Sequence, residues 1–345
     1  MANDAQSLDI AAVETYLKAH LPGFSGPLTA EKFADGQSNP TFRLSTASAS
    51  YVLRRKPPGT LLKSAHAVDR EFRVQKALSG SDVPVATVHL LCEDPDIIGS
   101  SFYVMDHVPG RIFFDPRLPE VDKPERSRII NDMNRVLAAI HSISLETVGL
   151  ADFGPPGNYI ARQTGRWSQQ YLASATEDIP AMTALIAGLQ ERLDGIEGDG
   201  ERTLVHGDYR IDNMIFSPKE PRCLAVLDWE LSTIGHPLAD LASVIMQWQL
   251  PPGPEGRGLA GVDRRELGLP SDEEFIANYC ERRGIPRIDD FGFYLAFCFF
   301  RMAAVLQGVK KRALDGNASN PERGLKMGAY VPVFAKKGLE SLGNG

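Results

Sequence analysis

Apolar residues recur every three or four positions in LDIAAVETYLKAHL (8–21), which ends before Pro22-Gly23 and predicts an amphipathic helix. HAVDREFRVQKALSG (66–80) predicts a second, with Val68, Phe72 and Leu78 roughly on one side and Gly80 as its stop. Between them, PTFRLSTASASYVLRRKPPG (40–59) predicts two short strands around a small polar turn, closed by Pro-Pro-Gly. SFYVMDHVPGR (101–111) predicts a strand running into a turn. The character then changes. SRIINDMNRVLAAIHSI (127–143) carries Ile130, Met133, Leu137 and Ile140 at helical spacing, a core helix. Short apolar runs at 203–206, 213–216 and 223–228 predict strands, and helical patterns follow around 238–249, 272–283 and 290–313.

A strand-rich first hundred residues and a helix-rich remainder predict an α+β fold in two lobes, 1–106 and 107–345, joined near 106–112. No internal repeat stands out. QLPPGPEGRGLAGVD (249–263) is rich in Pro and Gly and reads as a mobile loop or lid of the second lobe. SDEEF (271–275) reads as a helix N-terminus whose acidic residues complement the helix dipole.

Composition narrows the function. The 345 residues are 43% hydrophobic and 23% charged, ordinary for a globular protein. A formal net charge of −7 argues against nucleic acid or an anionic membrane as main partner, since both call for basic faces. The four cysteines (Cys92, Cys223, Cys280, Cys298) are far apart in apolar company, so they read as buried free thiols. The first residues carry Asp4 and Asp9 where a signal peptide would carry basic charge, and no apolar run reaches the ~20 residues that span a bilayer. A cytoplasmic location is the expectation; oligomeric state is left open.

The candidate chemistry lies in LVHGDYRIDNMIF (204–216) and VLDWE (226–230), where Asp208, Asn213 and Asp228 interrupt apolar runs. A bare D-x-x-x-x-N carries no information, since roughly one chance match is expected in a chain this size. His-Gly before the Asp, an apolar strand after the Asn and a carboxylate ending the next strand change that. Together they predict a strand–loop–strand–turn projecting three oxygen-bearing side chains from one sheet edge. Such hard ligands suit Mg²⁺, which takes one or two carboxylates and keeps waters and substrate phosphates. Asn213 and Asp228 would hold the metal, leaving Asp208 to accept a proton from an attacking hydroxyl, as in kinase phosphoryl transfer. The competing reading makes all three turn caps.

HGDYRIDN with DWE resembles the catalytic and metal loops of the aminoglycoside phosphotransferase family, within the protein-kinase-like superfamily. The resemblance extends over nearly the whole chain. It implies a bilobal kinase-like fold, a small N-terminal nucleotide-binding lobe with an antiparallel sheet, and a larger, mainly helical catalytic and substrate lobe. It implies ATP and Mg²⁺ as cofactors and a small-molecule hydroxyl as acceptor. FADGQSNPTFRLS resembles the nucleotide-covering loop, where Ser38 and Asn39 would offer backbone N–H groups to phosphate. In YVLRR the family's lysine position falls on Arg54, a departure, since guanidinium and ammonium are not interchangeable; Lys56 and Lys63 stand close in sequence. Glu71 matches the acidic partner of that cation. FYVMDHVPGR resembles the hinge, with Met105 backing the adenine and the Asp106 carbonyl and Val108 amide meeting its edge. GHPLADLA places Asp240 as a brace beneath the catalytic loop, and His206 becomes a supporting residue rather than a base.

ARQTGRWSQQY (161–171), with LRRKPPG, DWELSTIGHPLADLA and GQSNPTF, is similar to a narrower branch. It comprises the kinase-like domains fused to animal acyl-CoA dehydrogenases, family members ten and eleven, and stand-alone bacterial relatives. That likeness implies a free-standing relative acting on a hydroxyacyl compound, a CoA thioester included. Arg162 and Arg166 would then face substrate; the alternative is an ordinary amphipathic helix start. Glu230 is read as a second metal ligand or a solvated or hydrogen-bonded side chain, and His141 as a satisfied C-terminal or core histidine. The alternatives kept are an aminoglycoside or other amino-alcohol kinase and, from another class, a nucleotide-binding pseudokinase; a metal-dependent hydrolase ranks last.

Overall fold

A computed structural model describes residues 8–33, 39–57, 67–194, 200–253, 257–318 and 320–343; Ser38 and Lys63 lie outside these residues. The strands are β1 (Thr29–Lys32), β2 (Thr41–Ser45), β3 (Ser50–Arg55), β4 (Val88–Cys92), β5 (Phe102–Asp106), β6 (Thr203–Val205), β7 (Met214–Phe216), β8 (Cys223–Val226) and β9 (Thr233–Gly235). The helices are α1 (Ile10–His20), α2 (Val68–Leu78), α3 (Lys123–His141), α4 (Tyr159–Ser174), α5 (Pro180–Asp194), α6 (Pro237–Trp248), α7 (Arg264–Leu267), α8 (Asp272–Arg283), α9 (Phe291–Leu314), α10 (Pro321–Gly328) and α11 (Val331–Gly343).

The chain divides into two compact units. One joins Met1–Phe113 to Val148–Leu150 and Asp212–Ser232; the other joins Phe114–Thr147, Ala151–Ile211 and Thr233–Gly345. The division expected from composition, 1–106 against 107–345, follows chain order, and these units do not. The reason is that the 212–232 segment bonds back into the first unit. Arg111 and Phe216 exchange two backbone hydrogen bonds of 2.8 Å, and the Val226 N–H donates to the Pro84 carbonyl at 2.9 Å.

In the first unit, an antiparallel sheet runs in the order β1-β2-β3-β5-β4. Both of its faces are covered, which is why FYVM shows no apolar–polar alternation. Leu53, Phe102 and Val104 join Val13 and Leu17 of α1 on one side. Val52, Tyr103 and Met105 join Val68 of α2 on the other. Side chains alternate along a strand, so Arg54 shares the face of Val52, the one that α2 covers.

The second unit is mainly helical around α9, which packs against α4, α5, α6, α10 and α11. By length and composition alone α9 is apolar enough to cross a membrane, although Arg301 interrupts its apolar run; 67% of that stretch is buried within the fold. Helix α3 starts four residues before the predicted segment 127–143, because Asp122 caps it by accepting from the Glu125 N–H and Pro124 fits the first turn. The acidic start of α8 forms a capping box between Ser271 and Glu274.

Two local expectations change. β6 and β7 do not share a sheet edge: β6 pairs with β9, and β7 pairs with β8. The intervening loop, with its Ile211–Asn213 turn of 3-10 helix, leads the chain from one two-stranded sheet to the other. The Pro/Gly-rich segment is no free lid over its described part. Leu259 is buried, and its N–H donates to the Trp248 carbonyl at the end of α6.

Candidate active site

In the first unit, Arg54 gathers three carboxylates. Its Nε lies 2.8 Å from Glu71 Oε2, and its Nη2 lies 2.7 Å from Asp228 Oδ1 and 3.6 Å from Glu230 Oε2. The nearby Lys56 pairs with Asp69 instead, at 3.3 Å. Among described residues, the cation facing the α2 glutamate is therefore an arginine. Glu71 is not a surface charge, being 1% exposed within the buried stripe of α2. It accepts from Asn39 Nδ2 at 2.8 Å and from the Tyr103 hydroxyl at 3.1 Å, and that hydroxyl accepts from Gln75 Nε2 at 3.1 Å. Asn39, expected to act through its backbone, thus spends its side chain on orienting Glu71.

Burial pushes the Glu71 carboxyl up to about 7, against the pull of Arg54 and with a further push from Asp228 and Glu230. Burial works against the Arg54 charge too, but Glu71 first, then Tyr103, Asp228 and Glu230, raise its pKa above the ordinary value. Asp228 sits in the left-handed region, φ 63° and ψ 56°, at the start of the Trp229–Leu231 turn. That conformation costs about 1 kcal/mol for a residue with a Cβ. The charge-assisted bond from Arg54 is of a size to offset it. Three carboxylates around one guanidinium leave an excess of negative charge, and the Asp228 side chain is 33% exposed. This donor chemistry fits a divalent cation that takes one or two carboxylates and keeps its waters. Among the described residues no group of three or more His, Cys, Asp or Glu is placed to hold a metal ion.

In the second unit the HGD loop is held from within. Asp240, on α6 and 2% exposed, accepts the His206 N–H at 2.6 Å on Oδ2 and the Gly207 N–H at 2.9 Å on Oδ1. The Gly207 carbonyl accepts from Arg301 Nη2 of α9 at 3.0 Å. Gly207 itself has φ 85°, a conformation that suits a residue without Cβ. His206 is buried beside Tyr209, and its Nδ1 lies 3.3 Å from the Asp208 N–H. The Tyr209 hydroxyl donates to the Met133 carbonyl of α3 at 2.7 Å. Asp208 is left with a 36% exposed carboxylate, 3.8 Å from Arg210 Nε.

The remaining residues have local partners. The Asp106 carboxylate meets His89 Nε2 at 2.6 Å, and Val108 packs on the cluster of Val52, Tyr103 and Met105. Asn213 ends its 3-10 turn, and its carbonyl accepts the Leu227 N–H at 2.8 Å. Arg162 donates to the carbonyls of Pro156 and Gly157 at 2.7 and 2.6 Å, tying down the start of α4. Arg166 is exposed and stacks over Trp167 at 5.6 Å. Sequence reasoning passed over Tyr103, Tyr279, Arg283 and Arg301. Arg301 left a visible trace, a lone cation within the apolar FCFFRMAAV.

Residues 29–277 match the phosphotransferase enzyme family. Mouse acyl-CoA dehydrogenase family member 10 is 50% identical over 311 residues, covering 90% of this chain and 29% of its own length. Human acyl-CoA dehydrogenase family member 11 is 44% identical over 339 residues, 96% of this chain and 43% of its own length. The chain thus spans less than half of these curated relatives. A crystal structure from Ralstonia eutropha, provisionally named an aminoglycoside phosphotransferase, is 45% identical with a TM-score of 0.90, covering 98% of this chain and 99% of that one. Aminoglycoside phosphotransferase APH(4)-Ia, solved with AMP-PNP and hygromycin B, shares the fold at 17% identity and a TM-score of 0.63, over 96% and 98% of the two chains. With 72% of its length inside the family match (249 of 345 residues), this chain belongs to the phosphotransferase enzyme family.

Proposed function

We propose that this chain is an ATP-dependent small-molecule kinase, cytoplasmic, that moves the γ-phosphoryl group of ATP to an alcohol. The observation that carries the reading is the HGD loop. An exposed carboxylate, Asp208, stands on a backbone whose neighbouring N–H groups are fixed by Asp240 and whose preceding carbonyl is fixed by Arg301. Such a group suits the task of aligning a hydroxyl and accepting its proton, where most of the catalysis is positioning. Asn213 and Asp228 would hold Mg²⁺, whose charge would offset that of the phosphates when bound. Arg54, oriented by Glu71, steadies the phosphates, with Ser38 and Asn39 contributing backbone N–H groups. The Asp106 carbonyl and the Val108 amide take the base edge.

The acceptor proposed is a hydroxyacyl compound. What supports it is the similarity to proteins named acyl-CoA dehydrogenase family members. The name of the Ralstonia structure favours an amino sugar as the second reading. A thermal-shift screen of hydroxy acids, their CoA esters and amino sugars, each with Mg²⁺ and AMP-PNP, separates the two. The chemistry itself is tested by Asp208→Asn. Mg²⁺-dependent turnover of ATP should fall about 10²- to 10⁴-fold while AMP-PNP binding survives. Turnover equal to wild type would remove Asp208 from the reaction.

A further inference from the structure

Behind the HGD loop, the second unit carries a line of buried polar groups. Asp240 Oδ2 lies 3.3 Å from His141 Nε2, His141 Nδ1 lies 2.7 Å from the Tyr279 hydroxyl, and Arg283 Nη1 donates to that hydroxyl at 2.9 Å. Arg283 Nη2 pairs with Glu201 Oε1 at 2.5 Å, where the glutamate side chain is 42% exposed. The line therefore runs from the surface to the backbone beside Asp208, across α8, α3 and α6.

Its direction follows from chemistry alone. A guanidinium has donors and no acceptor, so Arg283 donates into the phenol oxygen. At the other end an ionised Asp240 can only accept, so His141 Nε2 carries a proton; in the neutral ring Nδ1 is then bare and accepts the phenol's proton. His141 is accordingly the neutral Nε2–H tautomer, and its one proton points at Asp240. Asp240 terminates the line and receives the two backbone N–H groups of His206 and Gly207 as well. Burial lowers the His141 pKa, with Arg283 acting in the same direction and Asp240 and Glu201 against it. His206 acts on Asp240 in the same direction as His141; Arg301, Tyr159 and Cys298 also interact with Asp240, and His236 senses His141 and Glu201. Asp240, though wholly buried, has its pKa lowered: burial pushes it up, and the bond from His141 leads the groups that overcome it.

We infer that Arg283, Tyr279 and His141 form a one-way donor relay that keeps Asp240 ionised and so positions Asp208 for phosphoryl transfer. Tyr279 and Arg283 are positioning residues, more than one side chain removed from the reacting groups. The inference rests on the reading of Asp208 given above. It goes further in making activity depend on the protonation pattern of a buried histidine.

Two measurements test it. In ¹⁵N-labelled wild type at pH 7, the His141 ring nitrogens should show the neutral Nε2–H tautomer; an Nδ1–H tautomer or an imidazolium overturns the relay. In Tyr279→Phe, which removes one oxygen and keeps the ring, kcat for Mg²⁺-ATP turnover should fall roughly 10- to 100-fold, the range of a misplacement near 1 Å. KM for ATP should stay at the wild-type value. A KM that rises with kcat unchanged, or wild-type kcat, overturns the positioning role. Measuring Asp208→Asn alongside keeps the two claims apart. Turnover depressed in Asp208→Asn and unchanged in Tyr279→Phe defeats the relay alone, whereas unchanged turnover in Asp208→Asn defeats the reading of Asp208 whatever the tautomer.

Discussion

Two buried carboxylates, Glu71 in the first unit and Asp240 in the second, are satisfied in opposite ways. Around Glu71, three carboxylates compete for one guanidinium, so negative charge is in excess and part of the cluster stays open to solvent. Around Asp240, one carboxylate receives two backbone N–H groups and an imidazole N–H, and among the described residues no hydrogen bond or ion pair brings a like charge onto it. The effect on their acidities follows: Glu71 is pushed up and Asp240 is held down, although both are buried. The difference teaches what each cluster is for. The Asp240 arrangement is complete and gains nothing from a further ligand, which suits a scaffold. The Glu71 arrangement is short of positive charge, which suits a place that a cation enters.

Asp240→Asn gives the largest expected effect. It turns one acceptor into an NH₂ facing N–H donors at a residue 2% exposed. Leaving a buried donor without its acceptor costs roughly 1 to 3 kcal/mol for each donor left unmatched. Urea unfolding at pH 7 should show a loss of that order, with turnover lost in step. A loss below about 1 kcal/mol would mean that the backbone N–H groups are held by something other than the carboxylate.

Glu71→Gln comes next, and its sign runs the other way along the pH axis. Burial holds the Glu71 pKa at about 7 in the fold against an ordinary value of 4.5. Between these values the folded state holds a proton that the unfolded state has released, so stability falls as pH rises. The contribution is fully present below pH 4.5 and lost above about 7. At 1.36 kcal/mol for each pH unit, the loss is about 3 kcal/mol. The unfolding free energy of wild type, relative to Glu71→Gln, should therefore decline by that amount from pH 4.5 to 7.5. A flat difference would show that the Arg54 ion pair keeps Glu71 ionised throughout, and the contrast with Asp240 would narrow.

How much of this contrast could be read from the chain depended on how local each signal was. The Ile130–Met133–Leu137–Ile140 stripe and the DREF helix predict their elements because neighbouring side chains set the pattern. Asp208, Asn213 and Asp228 stand out because polar residues of that kind break apolar runs within 21 positions of one another. Arg54 and Glu71 needed a resemblance to be noticed, since a charge on a strand or helix is common. The relay was invisible. Glu201, Tyr279 and Arg283 are ordinary residues in sequence, and His141 meets Tyr279 across 138 positions. The strand pairing misled for a related reason: two adjacent short apolar runs look like partners, whereas β6 finds β9, some 30 positions on.

The smallest stability effect sharpens the comparison most. Asp228→Ala removes one of the three carboxylates competing for Arg54, from a side chain a third exposed. The lost ion pair is worth at most about 1 kcal/mol at such exposure. Against it stands the relief of repulsion toward Glu71. Urea unfolding should accordingly move by less than about 1 kcal/mol in either direction, with Glu71 titrating at a lower pH than in wild type because a neighbouring negative charge is gone. Ligand binding should respond quite differently. The stabilisation that AMP-PNP gives in thermal shift should depend on Mg²⁺ in wild type and lose that dependence in Asp228→Ala. A near-neutral variant with no metal response is what an open, charge-deficient cluster entails. If Asp228→Ala instead unfolds like Asp240→Asn, the Asp228 carboxylate is part of the scaffold, and the two clusters are of one kind.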